Sequence, residues 1–306
     1  MEIAVLASDD SAALAAAETP SPDSCEVLAP ATQTVPLVFA SPHSGRAYPP
    51  EFVARSRLDA LALRGSEDAF IDEVFAAAPG LGAPLLRAHF PRAYLDANRE
   101  PFELDPAMFE APLPDYVTTV SPRIADGLGT IPRVVAGGEE IYGARLRFDE
   151  ALGRIEAHHG PYHQVLTDLI EATRRRFGFC LLIDCHSMPS TGGPLNRLPG
   201  HRRIDVVLGD CRGTACAPVL TGTAEAALRR MGFATQRNAP YAGGYTTRHH
   251  GHPDRRVHAL QIEINRALYM DEKTVTRGPE LPYLAKRMET LIEALAGIDP
   301  ATVENS

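Results

Sequence analysis

The sequence predicts an α/β fold: a mixed, largely parallel sheet flanked by helices. Three observations carry that expectation. Residues 179–183 form an unbroken apolar run, bounded by Gly178 and by Met188-Pro189, as expected of a parallel strand buried on both faces. In 257–265, Leu260, Ile262 and Ile264 alternate with Gln261, Glu263 and Asn265, which is strand periodicity. Helical apolar patterns separate the strand-like runs, at 149–177, 215–231 and 281–295.

Composition bounds the function. The chain has 306 residues, 44% of them apolar, enough for one large domain or two smaller ones. We read a loosely ordered, Ala-, Ser- and Pro-rich arm over 1–32 and a single domain over 33–298. The net charge of −9 argues against nucleic acid and anionic membrane surfaces as partners. Five scattered cysteines, with Cys211 and Cys216 too far apart for a zinc ribbon, suit reduced thiols in a cytoplasmic protein. No apolar run approaches the roughly 20 residues of a membrane span. Glu2, Asp9 and Asp10 deprive the start of the basic stretch of a signal peptide.

The elements follow in order. A first strand over 35–40 ends in Ser41-Pro42-His43-Ser44-Gly45, which puts a histidine at a carboxyl end, where α/β sheets gather ligands. A turn residue is the competing reading of His43. Helices follow near 51–63 and from Ser66, with Ser66 as N-cap and Glu67 and Asp68 in an acidic first turn. Capping and metal ligation both remain open for those two acids. A strand over 84–88 precedes an extended Tyr94-Leu95-Asp96, which delivers Asn98 and Arg99 to a loop. Such a pair suits a carboxylate, and an ordinary exposed loop pair is its alternative. The Pro- and Gly-rich excursion over about 100–147 reads as a cover for a site.

Helix 149–177 is interrupted at Gly160-Pro161, and its His158, His159 and His163 read as surface or packing residues. The central strand then presents Asp184 and His186 on one face, because side chains alternate with period two. A buried histidine paired with an aspartate competes here with a metal ligand or proton-transfer group. The glycine-rich stretch 188–194 lacks the ending of a phosphate loop and reads as backbone lining a pocket. A strand over 204–209, an edge strand over 233–238 and a flexible loop over 241–246 follow. Glu263, inside its strand, has a setting that can raise its pKa toward that of a general base; an exposed strand glutamate is the alternative. Ser44 and Ser187 adjoin histidines, but no Gly-x-Ser-x-Gly elbow supports a serine nucleophile.

Several of these pieces resemble one family. They are Ser-Pro-His43-Ser-Gly45, Asp68 with Asp72, Tyr-Leu-Asp96-Ala-Asn98-Arg99, Pro-Tyr-His163, Asp184-Cys-His186-Ser-Met, and His-Ala-Leu-Gln-Ile-Glu263-Ile-Asn265-Arg266-Ala-Leu-Tyr-Met270. Together, over about 35–296, they are similar to the N-formylglutamate amidohydrolases, themselves similar to zinc carboxypeptidases and to succinylglutamate and aspartate deacylases. The resemblance implies a phosphorylase/hydrolase-like sheet, one zinc ion per chain and a small carboxylate-bearing substrate. It implies a place in amino-acid degradation and leaves oligomeric state open.

Residue by residue, the resemblance implies His43 and His186 as zinc ligands. The deacylases carry a glutamate three positions after the first histidine; here that position is Arg46, which cannot bind a cation. The third ligand therefore falls to Asp68, with Glu67 as second choice. Glu263 is implied as the base, Arg92 as the group polarising the scissile carbonyl, and Asn98, Arg99 and Arg133 as holders of substrate carboxylates. Thr246 is expected to close the pocket and Asp184 to orient His186. The expected activity is zinc-dependent hydrolysis of an N-formyl or related N-acyl amino acid. The alternatives are a deacylase or carboxypeptidase-like hydrolase of another carboxylate-bearing amide, and a metal- or ligand-binding protein without turnover.

Overall fold

The computed structural model describes residues 24–190 and 204–304. Seven strands form one sheet in the order β1-β3-β2-β4-β7-β5-β6. They are β1 (Cys25–Leu28), β2 (Leu37–Ser41), β3 (Leu85–Ala88), β4 (Cys180–Met188), β5 (Val206–Gly209), β6 (Thr235–Arg237) and β7 (Val257–Asn265). The four central strands run parallel, β3 with β2, β2 with β4 and β4 with β7. β1 pairs antiparallel with β3 and β5 antiparallel with β7, so the sheet is mixed and largely parallel, as expected.

Period-two alternation sends the strands' side chains into two cores. On one face Leu37, Phe39, Leu181, Ile183, Ile262 and Ile264 meet α7 (Pro218–Arg230) and α9 (Leu281–Ala296) through Leu220, Ala224, Met288 and Leu291. On the other, Val38, Ala40, Cys180, Leu182 and Ala259 meet α6 (Gly160–Phe177) through Tyr162, Leu166 and Ile170. The excursion 100–147 adds Leu104, Met108, Phe109, Ile131 and Leu146 to this second core, so it is anchored as well as covering.

The remaining elements are short: α1 (Pro50–Arg55), α2 (Ala60–Leu63), α3 (Ile71–Val74), α4 (Pro122–Ala125), α5 (Phe148–Arg154), α8 (Tyr245–His250), α10 (Pro300–Glu304) and the ribbon of β8 (Met270–Asp271) and β9 (Thr276–Arg277). Among the described residues no helix is long and apolar enough to cross a membrane.

Five details differ from expectation. The last part of the arm is an edge strand, β1; residues 1–23 lie outside the described residues. The helix expected near 51–63 is two short ones, and the helix expected from Ser66 begins only at Ile71, because Phe70 is left-handed (φ 65). Ser66 accordingly caps nothing there; its Oγ accepts from Ala136 N–H. Tyr94 lies in a turn, its N–H bonded to Pro91 O. Gly160-Pro161 does not break the long helix, because the π turn Ile155–His159 carries it from α5 into α6. Of the glycine-rich stretch, 191–194 lies outside the described residues.

Leu182 is fully buried in the middle of β4, in register with Val38 on one side and Ala259 on the other. Leu182→Ala is expected to destabilise the protein by about 2–5 kcal/mol, read as a lower denaturation midpoint.

Candidate active site

The face that packs on α6 turns polar at its carboxyl end. In β4 the series Cys180, Leu182 continues as Asp184 and His186; in β7 the series Val257, Ala259 continues as Gln261 and Glu263. Register aligns them, with Asp184 opposite Gln261 and His186 opposite Glu263. All nine residues of β7 are buried, so the exposed-glutamate alternative for Glu263 does not hold.

His43 arrives from the end of β2. The turn after it needs glycine at 45: a Cβ there would sit 2.2 Å from Phe90 O. Close approach to the backbone, rather than an unusual φ, is thus what this position requires. Asp68 is tied to the same turn, its N–H donating to His43 O at 2.9 Å. His43, Asp68 and His186, all buried, bring one ligand atom each within 4.8 Å of one another. Asp68 Oδ2 lies 3.3 Å from His43 Nδ1 and 2.9 Å from His186 Nδ1.

The far nitrogens of both rings also face carboxylates. His43 Nε2 is 2.7 Å from Asp96 Oδ1, and His186 Nε2 is 2.9 Å from Asp184 Oδ1. An ionised carboxylate only accepts, so each Nε2 donates to its acid; each Nδ1 faces Asp68, and a bound cation would displace the proton shared there and take the Nδ1 lone pair. Ligand atoms on a tetrahedral zinc lie about 3.3 Å apart when each bond is about 2.0–2.2 Å. Two imidazoles and one carboxylate, back-bonded to acids, therefore fit such an ion.

Glu67 does not join them. It is held by Arg64 and accepts from Tyr48 Oη at 2.8 Å, which removes it as an alternative to Asp68 in the cluster. Arg46 pairs with Glu73 at the surface.

Charge shapes the site. Burial alone would raise the Asp68 pKa, but His186 and His43 outweigh it and hold the carboxyl well below its usual range. Burial likewise works against a charged His186, yet Asp184 and Asp68 keep its pKa well above the ordinary value. Glu263 is pushed up to about 7, chiefly by burial; His186 opposes the rise and Asp68 adds to it.

Arg92 donates through Nε to Asp96 Oδ2 at 3.0 Å, and the field of Asp68 and Glu263 reaches it. Among the described residues its Nη atoms have no hydrogen-bond partner. Asn98 donates its N–H to Asp96 Oδ1 and accepts Thr246 N–H on its own Oδ1 at 2.8 Å, which places Nδ2 3.1 Å from His186 Nε2; with the Nε2 hydrogen given to Asp184, this contact is between two donors and leaves Nδ2 free to donate elsewhere. Gly244 is required beside it, since a Cβ there would lie 2.3 Å from the Asn98 amide.

Two expected substrate ligands are turned elsewhere. Arg99 donates to Leu128 O and Asn98 O and lies 3.5 Å from Asp96, so its fork is engaged within the protein. Arg133 pairs with Asp105 and Glu140 in the excursion, and none of its bonds among the described residues reaches the cluster. Thr246 reaches the site through its N–H; its buried hydroxyl has no partner among the described residues.

Sequence reasoning gave no role to four further residues. Asp96 backs His43. Arg266 donates to Asp68 Oδ1 at 3.1 Å and to Ser187 Oγ. Gln261 donates to Glu263 Oε1 at 2.9 Å while accepting Gly244 N–H. Thr247 Oγ1 donates to Asp184 Oδ2 at 3.2 Å. Period two, the signal that pairs Asp184 with His186, also pairs Gln261 with Glu263. Arg266 has no such signal, because its direction depends on the 3-10 turn Arg266–Leu268.

A sequence model of N-formylglutamate amidohydrolases matches residues 35–270. The chain belongs to the N-formylglutamate amidohydrolase family. It is 32% identical over 253 residues to an N-formylglutamate deformylase of Pseudomonas aeruginosa strain PAO1, covering 81% of this chain and 87% of that one. It is 30% identical to an N-formylglutamate deformylase of Pseudomonas putida, covering 78% and 83%. The crystal structure of an N-formylglutamate amidohydrolase from Ralstonia eutropha JMP134 superposes with a TM-score of 0.82 at 34% identity, over 92% of this chain and 98% of that one. A gene product of Agrobacterium tumefaciens, 20% identical, shares the fold with a TM-score of 0.58. Membership makes the chain a hydrolase acting on an amide.

The site's surroundings also titrate. His163, buried on α6, has its pKa held well below the usual value, by burial first and then by His159 and His250. The unfolded chain takes up a proton there below about pH 6.5, whereas the folded protein does not. Stability therefore falls as pH drops from that point. In His163→Gln the fall in stability between pH 6.5 and 5.5 should be smaller by about 1 kcal/mol, measured by urea unfolding at each pH.

Proposed function

We propose that the protein is a zinc-dependent hydrolase that releases formate from N-formylglutamate or a close N-acyl relative. The observation that carries this reading is the convergence of two imidazole Nδ1 atoms and Asp68 Oδ2, each ring back-bonded to an acid, directly across the β4–β7 ladder from Glu263. His43, Asp68 and His186 would hold the ion. When bound, zinc lowers the pKa of water to about 7 and polarises a carbonyl.

The chain's own residues supply the rest. Glu263 takes the proton of the attacking water and delivers it to the departing amide nitrogen. A pKa near 7 suits a group that must accept and then donate within one turnover. Gln261 fixes one Glu263 oxygen and leaves the other for the proton. Arg92, held by Asp96 through Nε and with no Nη partner among the described residues, stabilises the negative charge that develops on the carbonyl oxygen. Asn98 Nδ2 donates to a substrate carboxylate, and Arg99 holds the loop that carries Asn98. Asp96 and Asp184 keep the Nδ1 lone pairs aimed inward. The deformylases of the two Pseudomonas species support N-formylglutamate as the first substrate to test.

Formate release from N-formyl-L-glutamate, compared with the acetyl and succinyl analogues, tests the substrate. Formyl should be preferred, and a higher kcat/KM for acetyl or succinyl glutamate would redirect the reading to a deacylase. Chelation should abolish turnover, zinc should restore it, and metal analysis should find about one ion per chain. Glu263→Gln should lose about 10²–10⁴-fold in kcat while retaining zinc. Full turnover in that variant would remove Glu263 as base.

A further inference from the structure

Behind Asn98 lies a second cluster of histidines that the chemistry above does not use. His159 ends the π turn and His163 follows one turn later, on the same side of the helix. Both are buried. His159 Nε2 lies 2.8 Å from Arg99 O, and His163 Nε2 lies 2.7 Å from Ala97 O. A carbonyl only accepts, so both rings donate, and they grip the backbone on either side of Asn98. His163 Nδ1 is then an acceptor, 3.0 Å from His250 Nε2 on α8.

The result is a segment with its main chain pinned by side chains. Asn98 N–H is held by Asp96, Asn98 O by Arg99, Ala97 O by His163 and Arg99 O by His159. Through His250 the same imidazole holds α8, whose Thr246 N–H fixes the Asn98 amide. Among the described residues the His163 ring bonds only to Ala97 O and His250 and no carboxylate pairs with it; its aromatic neighbours are His159, Tyr162, Tyr245, His249 and His250, so a charged ring would have no counter-ion there. The position calls for a rigid, uncharged group that donates at one end and accepts at the other, which a neutral imidazole does.

We propose that His163 is a positioning residue: it locks the Asn98 segment and α8 together and so sets the Asn98 amide against His186. The proposal rests on the hydrolytic site argued above. Its test uses two near-isosteres. Glutamine keeps a donor near Nε2 for Ala97 O; asparagine keeps an acceptor near Nδ1 for His250 but cannot reach Ala97 O.

On N-formyl-L-glutamate, His163→Gln should stay within about threefold of wild type in kcat/KM, whereas His163→Asn and His163→Ala should lose about 10–100-fold. In an Asn98→Ala background the His163→Asn change should cost less than about threefold, because the group it positions is gone. Equal losses in both backgrounds, or a fully active His163→Asn, would overturn the proposal. Amide exchange gives a readout without turnover. His163→Asn should speed exchange in both 97–99 and 244–248 while His163→Gln protects 97–99; unchanged exchange in His163→Asn would also overturn it. A wild-type protein that releases no formate would refute the substrate reading, and the exchange result would still decide the clamp.

Discussion

The register between β4 and β7 is the constraint on which the site depends. Nine residues of each strand pair in parallel, from Cys180 opposite Val257 to Met188 opposite Asn265. A slip of one residue would turn every side chain of one strand to the other face, burying His186 or Glu263 among the leucines of the opposite core. The apolar halves of both strands forbid it. Leu181, Ile183, Leu260, Ile262 and Ile264 are fully buried against α7 and α9, and none could be replaced there by a charged neighbour without a large desolvation penalty. The hydrophobic effect on one face thus places the catalytic candidates on the other.

Electrostatics then concentrates at Asp68. Its two oxygens meet His43, His186, Ser187 and Arg266, each at 2.9–3.3 Å. Removing any one partner would leave a buried charge partly unmatched, which is expensive at low local dielectric. The same density of charge keeps Asp68 ionised through His186 and His43, while Glu263 is pushed up to about 7, chiefly by burial. Two buried acids on neighbouring elements are driven in opposite directions by their surroundings, which is what the proposed roles of ligand and base require.

Much of this frame was legible in the chain. The apolar run before Asp184 and the alternation through Glu263 name the two central strands, and period two alone puts Asp184 with His186. The helix expected from Ser66 was misread because apolar spacing at Phe70, Ile71 and Val74 looks helical, whereas Phe70 turns left-handed and delays the helix to Ile71. That delay frees Asp68 from a capping role and lets its N–H reach His43 O. Arg99 and Arg133 were expected to hold substrate carboxylates, and their bonds to Leu128 O and Asp105 were not legible, because those partners are set by the path of an irregular excursion with no periodicity to read. His159 and His163 were taken as packing residues since helical spacing shows that they share a face but not what the face meets.

What those histidines meet connects the pieces. From the turn that opens α8, Gly244 N–H donates to Gln261, Thr246 N–H to Asn98 Oδ1 and Thr247 Oγ1 to Asp184. Each acceptor in turn touches a group assigned to chemistry, Glu263 for the first and His186 for the other two. Six residues from a loop and a single short helix could not hold these positions alone, since a helix of that length has little stability of its own. Their rigidity is borrowed from α6, an 18-residue helix packed on the sheet through Tyr162, Leu166 and Ile170, which reaches α8 through His163 and His250. The path from core packing to the orientation of the carboxylate proposed as base therefore runs through hydrogen bonds between neutral imidazoles, which hold without adding charge beside a site already crowded with it.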